Sequence, residues 1–119
     1  MKKSLTRSER LTRSSDINRV FSRRQSVSCN GAKLFCISNS YQWNRFVCIP
    51  ARGFKRAVDR NRVRRHVKEI VRQEKPLLRT GFDMVFLIYP GMDYDYSMRK
   101  QQIISLLKRA GLYQQQDMH

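Results

Sequence analysis

The sequence predicts an α+β domain, a two-layer sandwich of helices packed on one sheet. Three observations lead there. The chain has 119 residues, enough for one modest core and too few for two. Segments with apolar residues at helical spacing alternate with short runs rich in Phe, Val, Ile and Cys. No internal repeat or low-complexity linker divides them, so one sheet interrupted by helices is the economical arrangement.

Residues 1–13 are polar and basic and are expected to form a loosely ordered arm on a single domain spanning 1–119, with its core at about 5–113. In "SSDINRVFSRR", Ser14 or Ser15 can cap a helix, Asp16 complements its first turn, and Ile17, Val20 and Phe21 form an apolar stripe. "AKLFCISN" and "RFVCIP" predict two strands joined by a turn, and a short strand near "SVS" would precede them. Pro50 and Gly53 break the pattern before a helix that Asp59 could cap and Pro76 ends. "FDMVFLIYP" is nearly continuous apolar sequence between Gly81 and Pro90, which fits a strand buried on both faces. From about Ser97 to Ala110, Ile103, Ile104, Leu107 and Ala110 recur at helical spacing, with Gly111 placed to close the helix. "QQQDMH" is a polar tail.

Charge narrows the function. There are 25 Lys and Arg against 9 Asp and Glu, a net charge of +16, which self-repels unless a polyanion completes the working state. The apolar fraction of 40% belongs to a folded domain and not to a basic tail. Cys29, Cys36 and Cys48 are an odd set without metal-ligand spacing and are expected to be reduced, small buried residues. The basic N-terminus is followed by no apolar segment, and no run reaches the roughly eighteen apolar residues of a membrane span. A cytoplasmic protein with no membrane partner is expected.

The densest charge lies in the helix "RAVDRNRVRRHVKEIVR". At helical spacing Val63, Val67, Ile70 and Val71 gather on one side, and Asn61, Arg64, Arg65, Lys68 and Arg72 on the other, flanked by Arg60 and Arg62. Between Arg52 and Arg72 stand nine basic residues and only Asp59 and Glu69, an excess of +7. Intrahelical pairs can neutralise two charges at most, leaving a stripe that phosphates would relieve. The dominance of Arg favours bidentate phosphate contacts and stacking on unpaired bases. By charge alone a small ribosomal-type RNA-binding protein or a nucleoid protein is the alternative to any more specific role.

Specificity comes from a resemblance. "RAVDRNRVRRHVKE", with Arg60-Asn61-Arg62 at its centre, resembles the signature of the bacterial ribonuclease P protein subunit. "LTRSSDINRVF" resembles that family's opening helix, "RFVCIPARGFKRAV" its strand and approach loop, and "DMVFLIYPG" with "LLKRAGLY" its last strand and helix. The resemblance covers roughly residues 5–113. It implies a sandwich of order αβββαβα with a left-handed βαβ crossover, against the usual hand. It also implies a subunit that joins a catalytic RNA, binds the 5′ leader of precursor tRNA and assists endonucleolytic removal of that leader. In this picture the RNA subunit binds most of the Mg2+ and carries the catalytic centre, and no protein partner is implied.

Carried onto this chain, the resemblance puts Arg60, Asn61, Arg62, Arg64, Arg65 and Lys68 against the RNA subunit. For the leader it implies Ile17 and Phe21 on the first helix, Phe35 on the sheet, and the basic loop residues Arg52, Lys55 and Arg56. Strand alternation places Lys33 and Ile37 on the face of Phe35, so a cation lies beside an aromatic platform, the combination that binds single-stranded nucleic acid. The chain departs from the family pattern twice. Arg52 is followed by Gly53 where a lysine pair is usual, with Lys55 and Arg56 farther on, and Ile17 replaces a frequent aromatic. Catalytic residues are not expected on the protein: no carboxylate cluster or histidine pair is evident. His66 lies between the two faces of the basic helix, His119 is terminal, and Asp93 and Asp95 suit a turn and a helix cap better than a metal.

Overall fold

The computed structural model describes residues 7–91 and 93–115; Met1 to Thr6, Met92 and 116–119, His119 among them, lie outside that description. The order is α1 (Ser14–Ser22), β1 (Ser26–Cys29), β2 (Ala32–Ser38), β3 (Arg45–Pro50), α2 (Ala57–Glu74), β4 (Phe82–Ile88) and α3 (Tyr96–Arg109). One-turn 3-10 segments precede α1 (Arg7–Glu9) and follow α2 (Lys75–Leu77). The second of these contains Pro76, which cannot continue the α-helical ladder.

The strands form one mixed sheet in the order β1-β2-β4-β3, antiparallel except for the parallel pair β3 and β4. β2 and β3 follow one another in the chain through the expected turn, but they do not pair, because β4 inserts between them. The physical reason is hydrophobicity. β4 is the most apolar strand, and the centre of the sheet is the one place that buries it on both faces. The helix between β3 and β4 then makes the crossover that a parallel pair requires.

One face of the sheet carries the main core. Leu34, Phe46, Met84, Phe86 and Ile88 pack against Val63, Val67, Ile70 and Val71 of α2 and Ile103, Leu106 and Leu107 of α3. The four apolar residues expected on the inner side of α2 are all buried there. Burying a side chain such as Phe86 completely contributes roughly 2–3 kcal/mol. The opposite face carries a smaller cluster in which Val20 of α1 meets Leu11, Ile37 and Val85.

Three local expectations are corrected. Residues 7–11 are part of the body: Leu11 is fully buried, its N–H donates to the Phe46 carbonyl at 2.9 Å, and Arg10 bridges to Phe46 along the outer edge of β3. An uncovered edge strand is a liability, and this segment covers it. Ser14 and Ser15 lie inside α1, whose cap position is Arg13 without a side-chain bond. The chain turns into the helix directly from its anchor at Leu11, so tertiary contact replaces the cap. Asp59 is the third residue of α2 and accepts from the Arg56 guanidinium at 3.1 and 3.3 Å instead of capping. At α3 the acid does cap: the Asp95 carboxylate accepts from the Met98 N–H at 2.8 Å.

Candidate nucleic-acid interface

Register aligns the α1-side face of the sheet into rows. Lys33, Leu87 and Ile49 form one, Phe35, Val85 and Val47 the next, and Ile37, Asp83 and Arg45 the third. α1 lies over the last two. Its Phe21 ring meets Phe35 edge-on, centroids 4.8 Å apart, and Ile17 joins the same cluster. The row of Lys33, Leu87 and Ile49 stays half-exposed. The result is an apolar and aromatic cluster under α1 beside a half-exposed row that carries a lysine, with Phe35 half-buried at the junction.

The third row holds α1 in place. Fully buried Asp83 accepts from Arg45 Nε at 2.8 Å, from Arg45 Nη2 at 2.6 Å and from Asn39 Nδ2 at 2.9 Å. The remaining Arg45 nitrogen donates to Asp16 of α1 at 3.3 Å, and the guanidinium lies over the Tyr41 ring. A buried carboxylate with three donors satisfies its lone pairs, so the pair serves to orient α1 over the sheet. Sequence reasoning missed this clamp, because its members lie on three separate elements and each looks like an ordinary surface charge.

On α2 the outward face is formed by Asn61, Arg62, Arg64, Arg65 and Lys68, all exposed. All three acids of the helix are already engaged, Glu74 by the Tyr113 hydroxyl, which donates to it at 2.8 Å. Asp59 pairs with Arg56 and Glu69 with Arg72, and those hydrogen bonds hold each carboxyl below its usual range. Arg62, Arg64, Arg65 and Lys68 have no carboxylate partner among the described residues. The Arg64 guanidinium donates to Asn61 Oδ1 at 3.1 Å, while half-buried Arg60 donates to the Phe54 carbonyl at 2.9 Å. Arg60 thus shapes the approach loop as well as carrying charge.

Of the loop residues, Arg52 is exposed in the turn after β3. Lys55 and Arg56 line a groove of about 580 Å³ together with Arg62, His66 and Arg99, bordered by Asp59 and Asp93. The structure thus gathers Ile17, Phe21 and Phe35 in one cluster and brings Lys55 and Arg56 to the start of α2. His66 rests edge-on against Tyr96, and burial followed by Arg62, Arg99 and Arg65 holds its imidazole below the ordinary value. Arg99, which sequence reasoning did not single out, is buried at the start of α3. No group of three or more His, Cys, Asp or Glu converges as a metal site among the described residues. The three cysteines are free and half-buried.

Comparison with known proteins agrees over nearly the whole chain. The Ribonuclease P family profile matches residues 5–111. The "Ribonuclease P protein component" of Nitrosococcus oceani is 38% identical over 89 residues, 74% of this chain and 74% of that one. That of Petrotoga mobilis is 30% identical over 106 residues, covering 85% and 90%. Among solved structures, the RNase P protein from Thermotoga maritima superposes with a TM-score of 0.77 at 26% identity, covering 85% of this chain and 96% of that one. The Staphylococcus aureus RNase P protein, at 18% identity and a TM-score of 0.82, covers 89% and 98% and shares the fold.

Proposed function

Because this chain belongs to the ribonuclease P protein family, the protein subunit of the endoribonuclease that matures tRNA 5′ ends, we propose a division of labour across its surface. Asn61, Arg62, Arg64, Arg65 and Lys68 on the outer face of α2, with Arg60 behind them, bind the RNA subunit. Their supporting observation is the face itself, whose four outward cations lack carboxylate partners among the described residues. A guanidinium grips a phosphate with two parallel hydrogen bonds, and each contact releases counter-ions.

The cleft under α1 takes the 5′ leader of precursor tRNA. Phe35 and Phe21 offer ring surface to an unpaired base, Ile17 adds apolar contact, and Lys33 and Arg52 neutralise the backbone. Bond cleavage belongs to the RNA subunit, which holds the Mg2+ ions; the protein lowers the charge density around them and so the Mg2+ concentration the reaction needs. We assign the holoenzyme to the cytoplasm on this reading of its substrate.

The deciding experiment is cleavage of precursor tRNA at low Mg2+ with the protein alone, the cognate RNA subunit alone, and both together. Activity confined to the mixture is expected. A mixture no better than the RNA subunit alone would overturn the reading.

A further inference from the structure

We infer that the hollow between the 7–13 segment and the β2–β3 loop, walled by Tyr41 and Trp43, is a further nucleotide subsite, where an unpaired base of the 5′ leader stacks once the strand has passed along α1. It deepens the leader reading of the α1 face and rests on it.

Exposure singles the loop out. Tyr41 and Trp43 are 43% and 38% exposed, and their centroids lie 4.8 Å apart with planes tilted by 32°. The two rings therefore form one contiguous patch, unlike single apolar residues scattered over a surface. The patch is held firmly. Asn39 accepts the Tyr41 N–H on Oδ1 at 2.8 Å and donates through Nδ2 to the Trp43 carbonyl at 3.2 Å and to buried Asp83 at 2.9 Å. Asn44 closes the other end of the loop, donating to the Arg79 carbonyl and accepting the Phe82 N–H. Trp43 Nε1–H donates to the Ser8 carbonyl at 3.0 Å, a bond made by the edge of the indole that leaves ring surface to solvent. A platform already ordered in the free protein loses little entropy when a ligand binds.

Charge selects the occupant. The hollow, of about 300 Å³, is also lined by Arg7, Arg10, Arg13 and Arg45, with Asp16 as its one acid. Both Asp16 oxygens are engaged, one by Arg19 at 2.6 Å and the other by Arg45 at 3.3 Å. Arg7, Arg10 and Arg13 are exposed and have no carboxylate partner among the described residues. Aromatic faces beside unpaired guanidinium groups suit a stacked base and its phosphate. A second copy of a chain at +16 is repelled from such a patch.

Position selects the leader. The hollow adjoins the row of Ile37, Asp83 and Arg45, which borders the Phe35 row on the side away from Lys33. The chain bearing Arg52 leaves β3 at the Lys33 end and leads into α2. A strand that enters beside Arg52 and crosses Phe35 therefore leaves toward Trp43.

Trp43 is the one tryptophan of the chain, so indole emission reports this site alone. Reconstituted holoenzyme is titrated with mature tRNA and with precursors whose leaders are lengthened one nucleotide at a time. Emission is expected to stay level with mature tRNA and the shortest leaders, then to fall saturably beyond a threshold length at which affinity also rises. Trp43→Leu should weaken long-leader precursor roughly ten-fold and leave short-leader precursor within about two-fold. Trp43→Phe loses the bond to Ser8 but keeps a ring, so it should retain most of the gain; this separates stacking from anchorage. Arg10→Gln and Arg13→Gln should each lower the salt slope of long-leader binding by about 0.7 and leave that of mature tRNA unchanged.

Emission unmoved by any leader, or equal losses in Trp43→Leu and Trp43→Phe, would overturn the subsite. A fall already complete when the RNA subunit or mature tRNA binds would also overturn it, since the loop would then serve those RNAs. Phe35→Ala tests the reading beneath: unchanged leader affinity there, with the length-dependent fall at Trp43 intact, would remove the α1 cluster as a leader platform and leave the loop subsite supported.

Discussion

Replacing Phe35 with alanine isolates the cleft from the rest of the surface. In the folded protein the ring is half-buried and meets Phe21 edge-on at 4.8 Å. Truncating a fully buried Phe costs about 3–5 kcal/mol, so a half-exposed one should cost roughly 2, of which up to about 1 is the ring pair. A base stacked on the ring is worth about 1–3 kcal/mol, roughly a 5- to 150-fold change in affinity. The assay measures Kd of the reconstituted holoenzyme for precursor tRNA with a single-stranded 5′ leader and for mature tRNA, with protein saturating the RNA subunit. Phe35→Ala should weaken the precursor by that factor and leave mature tRNA within about two-fold, a change under 0.5 kcal/mol. Phe35→Leu separates stacking from packing: it keeps most of the apolar fill and removes the π-face, so it should recover stability but not leader affinity. Equal losses for both tRNAs, or parental affinity in Phe35→Leu, would refute stacking at Phe35.

The clamp beneath α1 should be sensitive to charge: Asp83→Asn leaves Arg45 without its buried partner and should destabilise by about 3 kcal/mol, read as a lower urea midpoint with an unchanged slope. Gly53→Ala meets both the positive φ and the Pro90 ring, and a loss of about 1–3 kcal/mol is expected in the same assay. His66 titrates below its ordinary value of 6.5, so on acidification the unfolded chain takes up its proton first. Stability should therefore fall as the pH drops through that value toward the folded-state pKa and level off below it, and His66→Gln should flatten this part of a urea-midpoint profile against pH.

Much of the protein was legible before folding. Helical spacing marked the buried side of α2 to the residue, because a helix on a sheet must turn one stripe inward whatever its tertiary partner. Alternation put Lys33, Phe35 and Ile37 on one face for the same kind of reason. The Arg60-Asn61-Arg62 motif pointed to the family, and the family profile spans nearly the chain. Other features depended on which segments meet. The arm was misjudged at residues 7–11 because polar composition says nothing about an open strand edge, and Leu11 is buried only because β3 needs a cover.

The chain by itself determined the local periods, the excess of positive charge and the family, since these follow from side-chain chemistry and spacing along one dimension. Tertiary structure alone decided that β4 separates β2 from β3, that Asp83 and Arg45 lock α1 over the sheet, and that Arg99 is buried while most other cations among the described residues are not. Each depends on desolvation and on contacts between residues far apart in sequence. Burial turns an ordinary charge into a clamp, and burial is a property of the assembled fold.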